Sequence, residues 1–511
     1  MGYVAVLSPW RLGSRLFKLT LASAAALTAF GVSAQSSPET FLTPEFKASW
    51  GLGAIGAQYA YAQGYTGLGI KLGIADSPIQ LSHPEFAGRI YSPSVFPPFP
   101  IAGFEIPDHG THVMGLASAA RNGVGMMGVA YNATLASVLA TGEEGYPEPG
   151  DWAGELIDAG VSVMNGSFGP PALPPEDLDN GEPNPDYRVV DFQPILDDEL
   201  FEELSAVRRL SAADVVMVFA AGNEYDEQPI SSQIPSGAAM VPLITPARTK
   251  DATLYKILSD GDEYDPDTWE YASMADVGDL DGSAYAGTLM AVVAVDQDND
   301  IASFSNRCGD AADWCLSSPG VALYSTVPVS TYAGGLEWSG TSMAAPLVAG
   351  GAALVRQAFP YMTARQVIEV VLTTATEIGD ASIYGHGLLN LERAVKGPIE
   401  FGHPSLVEGN ESIFAPIFAV DTKGHDSVWS NDITGIGGFS KAGSGMLTLT
   451  GTNTYTGQTT ITGGTLRVDG SIASSELTVT SGGTLQGIGT VGNTVMAGVL
   501  SPGNSVGTLT V

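Results

Sequence analysis

Residues 339–354 read Ser339-Gly340-Thr341-Ser342-Met343-Ala344-Ala345-Pro346-Leu347-Val348-Ala349-Gly350-Gly351-Ala352-Ala353-Leu354. The stretch from Ala345 to Phe359 reads as a helix. Proline is tolerated in the first helical turn and not deeper, so Pro346 places Ser342 at or near the helix N-terminus. There the free backbone N–H groups and the positive end of the helix dipole face the hydroxyl. A plain helix cap would account for such a serine about as well, so its meaning depends on what else the chain supplies.

Upstream, short β-branched runs such as Ile70-Lys71-Leu72-Gly73-Ile74-Ala75 and Val215-Val216-Met217-Val218-Phe219-Ala220 alternate with helical stretches, 345–359 and 364–374 among them. Buried strands alternating with helices predict an α/β fold, a mostly parallel sheet with helices on both faces, over residues 51–398. Two acidic, proline-rich inserts, 170–194 and 228–281, are expected to be surface loops.

Two further segments put reactive side chains beside glycines at element boundaries. Gly73-Ile74-Ala75-Asp76-Ser77 is a buried strand ending in a carboxylate, and ligands of open parallel sheets bind at the carboxyl ends of strands. Asp108-His109-Gly110-Thr111-His112-Val113 opens a run of small residues suited to a closely packed helix. His109 and His112 lack the Glu of an HExxH pair and a third ligand nearby, which argues against a metal site. A serine hydroxyl needs a base within hydrogen-bond reach, itself oriented by an acid; Asp76, His109 and Ser342 offer one of each. Asn223, in Ala221-Gly222-Asn223-Glu224 after another apolar strand, could donate to a developing oxyanion.

In order and spacing, Asp76-Ser77, His109-Gly110-Thr111-His112-Val113, Ala221-Gly222-Asn223 and Gly340-Thr341-Ser342-Met343-Ala344-Ala345-Pro346 resemble the motifs of subtilisin-like serine proteases. The resemblance implies Asp76 as orienting acid, His109 as general base and Ser342 as nucleophile. It implies Asn223, with the Ser342 N–H, as oxyanion hole, and Ser167, Phe168, Gly169 and Gly222 as substrate-binding residues. His112 matches a structural position, and 384–390 resembles the family's closing segment. The chain departs from the pattern at Pro78, where the family usually has Gly. Glu224 is expected to be solvated. The function implied is a secreted serine endopeptidase. A catalytically dead adhesin is disfavoured because every expected residue is present, and an esterase because the Gly-x-Ser-x-Gly elbow is missing around Ser342.

Beyond a linker at 399–434, residues 435–511 turn to Gly, Thr, Ser and Val, with Gly463-Gly464-Thr465-Leu466 echoed by Gly482-Gly483-Thr484-Leu485. Repeats of about 20 residues with alternating apolar positions predict a short parallel β-helix-like module. Between Ala442 and Val511 the charged residues are Arg467, Asp469 and Glu476 alone, so chemistry must lie upstream. The tail resembles the β-strand repeat of autotransporter passengers, which implies an outer-membrane β-barrel translocator as partner. No strands of that kind read before Val511.

Residues 1–34 read as a signal peptide: Arg11, Arg15 and Lys18 precede the apolar stretch 19–32 and the small-residue site Val32-Ser33-Ala34. Residues 35–50 form a short N-terminal segment, and the roughly 40 residues between the cleavage site and Asp76 are fewer than the family's usual folding propeptide. Export, to the medium or the surface of a Gram-negative-type bacterium through the periplasm, is the expectation. The chain carries 55 acidic and 21 basic residues, a net charge of −34, which repels nucleic acid and anionic lipid; proteins or peptides as substrates are what the resemblance to subtilisin-like proteases implies. Cys308 and Cys315 are expected to form a disulfide closing a short surface loop. No cofactor is implied. Asp276, Asp279 and Asp281 before Gly282 have a calcium-ligand look without EF-hand spacing.

Overall fold

The run that begins at Lys71 forms β1 (Lys71–Asp76), buried from Leu72 to Asp76. In the computed structural model, which describes residues 36–91, 106–141, 149–169, 195–226, 229, 231–246, 254–257, 269–272, 281–328, 336–503 and 508–511, residues 36–511 form one unit. With β2 (Thr134–Leu139), β3 (Val163–Gly166), β4 (Val216–Ala220), β5 (Leu289–Val295) and β6 (Cys315–Pro319), β1 builds a six-stranded sheet of order β2-β1-β3-β4-β5-β6. Every neighbouring pair is parallel. The chain leaves β1 for β2 on one side and returns on the other as β3. The crevice beyond the carboxyl end of β1 is therefore a topological switch point, where such sheets bind ligands.

Successive residues of one strand enter opposite cores. Val216 and Val218 pack with Leu72, Ile74 and Val292 on one face, and Met217 and Phe219 pack with Met164 and Val293 on the other. Burial on both faces is why these strands read as unbroken apolar runs rather than alternating ones. The first face is covered by α1 (Asp108–Ser118), α4 (Thr341–Ala358) and α5 (Ala364–Thr373), the second by α2 (Trp152–Ala159) and α3 (Asp197–Ala212).

Two expectations about the fold need correction. Within the insert 228–281, the apolar stretch Gly237–Leu243 forms a fully buried 3₁₀ turn in the second core, and Trp314 Nε1 donates to Ala239 O at 3.0 Å. It is no surface loop, because an uncharged Ala-Met-Val run gains more from the sheet face than from water. Leu254–Ile257 and Trp269–Ala272 in the same insert pair antiparallel. Residues 399–434 are not an irregular linker either: Ile417–Asp421 pairs in parallel with Gly438–Ala442, and Ser427–Trp429 with Met446–Leu449. These strands are the first members of two five-stranded parallel stacks that run to Thr494–Met496 and Val499–Pro502.

The stack is joined to the sheet domain by packing. Phe401, Phe418, Trp429 and Phe439 share one apolar core with the α4 and α5 side of the sheet, and Phe401 stacks on Phe439 with ring centroids 5.4 Å apart. Trp429 Nε1 donates to Tyr361 Oη at 3.1 Å, and that hydroxyl donates to Ser427 Oγ at 2.9 Å. Residues 1–34, read as a signal peptide, lie outside the described residues.

Candidate active site

Asp76 is the last residue of β1 and 1% exposed. Its Oδ1 accepts from Ser77 N at 2.8 Å and from His109 Nδ1 at 2.7 Å. A carboxylate oxygen only accepts, so Nδ1 carries the hydrogen and a neutral His109 keeps its lone pair on Nε2. The contact is close because the first turn of α1 rests on the β1 terminus: Gly110 N donates to Ser77 Oγ at 3.1 Å, and Thr111 Oγ1 accepts from Gln80 N at 3.0 Å. A Cβ on residue 110 would lie 2.6 Å from Ser77 O, so only glycine allows this approach. The turn through Pro78 thus accommodates the Asp76–His109 contact.

Helix α4 packs against α1 and starts at Thr341, so Ser342 is its second residue. Pro346 is therefore the sixth, deeper than the first turn to which the sequence reading assigned it. It removes the N–H that would bond Ser342 O, and that carbonyl accepts from Ser167 Oγ at 3.1 Å instead. Asn165 Nδ2 donates in turn to Ser167 Oγ at 2.9 Å. Ser342 Oγ lies 3.4 Å from Ser167 O. The segment just past β3 thus supports the nucleophile candidate from below, while Phe168 packs edge-on against Trp152 and Gly169 is exposed.

Asn223 follows β4 and is exposed. Its Oδ1 accepts from Thr341 N at 2.8 Å and from Thr341 Oγ1 at 2.9 Å, and Gly222 N donates to Thr341 Oγ1 at 3.2 Å. These contacts use the carbonyl side of the amide, which turns Nδ2 away from the helix as a donor. Gly222 has φ +106°, and a Cβ there would lie 2.3 Å from Glu224 Oε2. Glu224 is not simply solvated: Asn306 Nδ2 donates to its Oε2 at 2.8 Å, Glu224 N donates back to Asn306 Oδ1 at 3.0 Å, and burial pushes its carboxyl above the ordinary value.

Several participants had weak sequence signals. Thr341 lies inside a quoted motif and Ser167 among the expected substrate-binding residues, but their anchoring roles need partners more than a hundred residues away. Trp338, four residues before Ser342, lies outside every motif quoted from the sequence. It stacks on the buried His112 with centroids 5.2 Å apart and an interplanar angle of 18°. Among the calcium candidates, Asp276 and Asp279 lie outside the described residues, and Asp281 Oδ1 accepts from Ser283 N at 3.0 Å.

Cys308 and Cys315 are bonded, with Cα atoms 5.7 Å apart. Both are fully buried, and Asp313 and Trp314 between them are 3% and 4% exposed, so the bridge closes a core element and not the surface loop expected. Leu406 N donates to the Asp313 carboxylate at 2.5 Å, and Ser405 Oγ at 2.6 Å.

Residues 67–387 match the subtilase family, and residues 439–468 match the passenger-associated-transport-repeat. The chain is 33% identical to an extracellular serine protease of Serratia marcescens over 96% of its own length and 51% of that protein. It is 31% identical to Subtilisin BL of Lederbergia lenta over 68% of its own length and 98% of that protein, and 28% identical to serotype-specific antigen 1 of Mannheimia haemolytica over 60% and 27%. It spans about half the length of the Serratia proteases it matches. With the family match covering most of the chain and lying over the parallel sheet and its crevice, the chain belongs to the subtilase family, followed by an autotransporter-type passenger repeat.

Proposed function

We propose that the chain is an exported serine endopeptidase in which Ser342 attacks the peptide carbonyl, His109 Nε2 takes the Ser342 proton, and Asp76 orients the imidazole. The His109 Nδ1 contact with Asp76 Oδ1 at 2.7 Å is the observation that carries the reading, because it commits the tautomer that leaves Nε2 as base. As the carbonyl oxygen gains charge, Asn223 Nδ2 and the Ser342 N–H at the α4 N-terminus donate to it. His109 then protonates the departing amine, and water repeats the sequence on the acyl-enzyme. Ser167, Phe168, Gly169 and Gly222 flank the crevice where an extended peptide lies. The relatives' description as extracellular proteases, with the passenger-type repeat, supports export and a β-barrel translocator as partner.

The test is covalent labelling with a serine-directed fluorophosphonate followed by peptide mass mapping. The label is expected on Ser342, and both label and peptide hydrolysis should vanish in Ser342→Ala. Hydrolysis surviving in that variant would refute the reading.

A further inference from the structure

Trp338 ends the short strand Leu336–Trp338, which pairs antiparallel with Leu323–Ser325, Leu323 opposite Trp338. This hairpin is bolted to the start of α1: Ser325 Oγ donates to His112 O and Thr326 Oγ1 to Thr111 O, both at 2.7 Å. His109 and His112, three residues apart, share a helix face. The half-buried indole lies flat on His112 and continues to within 6.2 Å of the His109 ring, tilted by 45°.

The same stretch of chain is also pinned toward Ser342. Ala322 N donates to Ser339 Oγ at 2.9 Å, and Gly340 N donates to Gly320 O at 2.8 Å. Trp338 therefore touches the helix that carries His109 while standing four residues from Ser342 on a backbone that cannot drift.

We infer that Trp338 is a positioning residue for His109, a wall that limits swinging of the imidazole away from Ser342. The inference rests on the proposed roles of His109 and Ser342. A hydrogen bond to Asp76 Oδ1 fixes one ring nitrogen but allows the ring to pivot about that contact, which moves Nε2. The indole beside the ring, held flat on His112, opposes the pivot. The constraint is felt during proton transfer, so it acts on kcat and not on substrate affinity. His112, fully buried, is the platform that keeps the indole in place.

The experiment compares Trp338→Ala, Trp338→Phe and Ser342→Ala for kcat and KM on a peptide anilide, and for the rate of fluorophosphonate labelling, with folding checked by circular dichroism at the assay temperature. Trp338→Ala is expected to lower kcat and the labelling rate about 10-fold or more, as for misplacement of a catalytic group by a fraction of an ångström, with KM within about three-fold. Trp338→Phe, which keeps an aromatic face, should recover most of the loss. A folded Trp338→Ala with kcat within two-fold of the parent, a loss expressed in KM alone, or failure of Phe to recover activity would each overturn the inference. Activity in Ser342→Ala would instead overturn the proposed triad, so the two failures are distinguishable.

Discussion

Ser167 Oγ donates at 3.1 Å to the carbonyl of Ser342, an acceptor that Pro346 deprives of its helical donor. The substrate-side strand end and the nucleophile candidate are coupled because of a proline four residues downstream. Ser167→Ala removes that donor from the part-buried carbonyl and should lower kcat about five-fold, the effect of a neutral hydrogen bond of about 1 kcal/mol. In a Pro346→Ala background the helical N–H returns, so the same substitution should cost clearly less. Steady-state kinetics on the double-mutant cycle decides it, and strictly additive losses would disprove the coupling.

Asn223 holds Thr341 with its carbonyl oxygen and offers its Nδ2 outward. Asn223→Ala should reduce kcat by about 10²–10³, the usual effect of removing one oxyanion donor, with KM nearly unchanged. Because Asn223 also bonds the first turn of α4, Asn223→Asp should keep the helix contacts and yet lose the rate. A folded Asn223→Ala enzyme at parental kcat would exclude the assigned role.

Two buried carboxyls and one buried histidine oppose each other, and stability should peak near the ordinary carboxyl range, at about pH 4 to 5. Burial raises Glu369, 4% exposed, to about 8, with Arg365 opposing, and raises Glu85 to about 7, chiefly by burial and with Glu45 adding to the rise. The folded chain thus keeps protons the unfolded chain releases, and stability falls as pH rises from the ordinary carboxyl range through 7 to 8. Burial, with His403 alongside, lowers His386 to about 3, so its contribution is lost as pH drops below the ordinary histidine value of 6.5, and this loss outweighs the carboxyl gain only below the ordinary carboxyl range. Melting temperatures from about pH 2.5 to 9 would map both limbs. Glu369→Gln should flatten the alkaline limb and leave the acidic one; an unchanged alkaline limb would show that Glu369 does not drive it.

Reduction of Cys308–Cys315 should lower stability by about 2–3 kcal/mol on the chain-entropy account. The bridged segment also holds Ser405 and Leu406 through Asp313. Proteolysis near residue 405 should therefore accelerate after reduction, while peptide hydrolysis at mild temperature persists. Equal cleavage with and without reductant would separate the disulfide from that docking.

Ending the chain after Pro398 would strip Phe401, Phe418 and Trp429 from a core they share with α4 and α5. Such a fragment should be poorly soluble or lack near-ultraviolet circular dichroism. Tyr361→Phe in the whole chain, which breaks the bonds with Trp429 and Ser427, should cost about 1–2 kcal/mol in denaturant titration. A stable, cooperative fragment would mean that the stack is dispensable to the sheet domain.

The sequence by itself determined the alternation of buried strands and helices, the order of Asp76, His109, Asn223 and Ser342, and the change to a repeating β module. These are local signals: apolar runs, glycines beside reactive residues, and a period visible along the chain. It could not show that Pro346 hands the Ser342 carbonyl to Ser167, that Trp338 lies on His112, or that Asn223 caps α4, because each joins residues far apart in the chain. The fate of the Gly237–Leu243 turn and of 399–434 was hidden for a related reason. An irregular or proline-bearing segment looks like a loop until the apolar surface it covers is known, and that surface exists only once the sheet and the first strands of the stack have assembled.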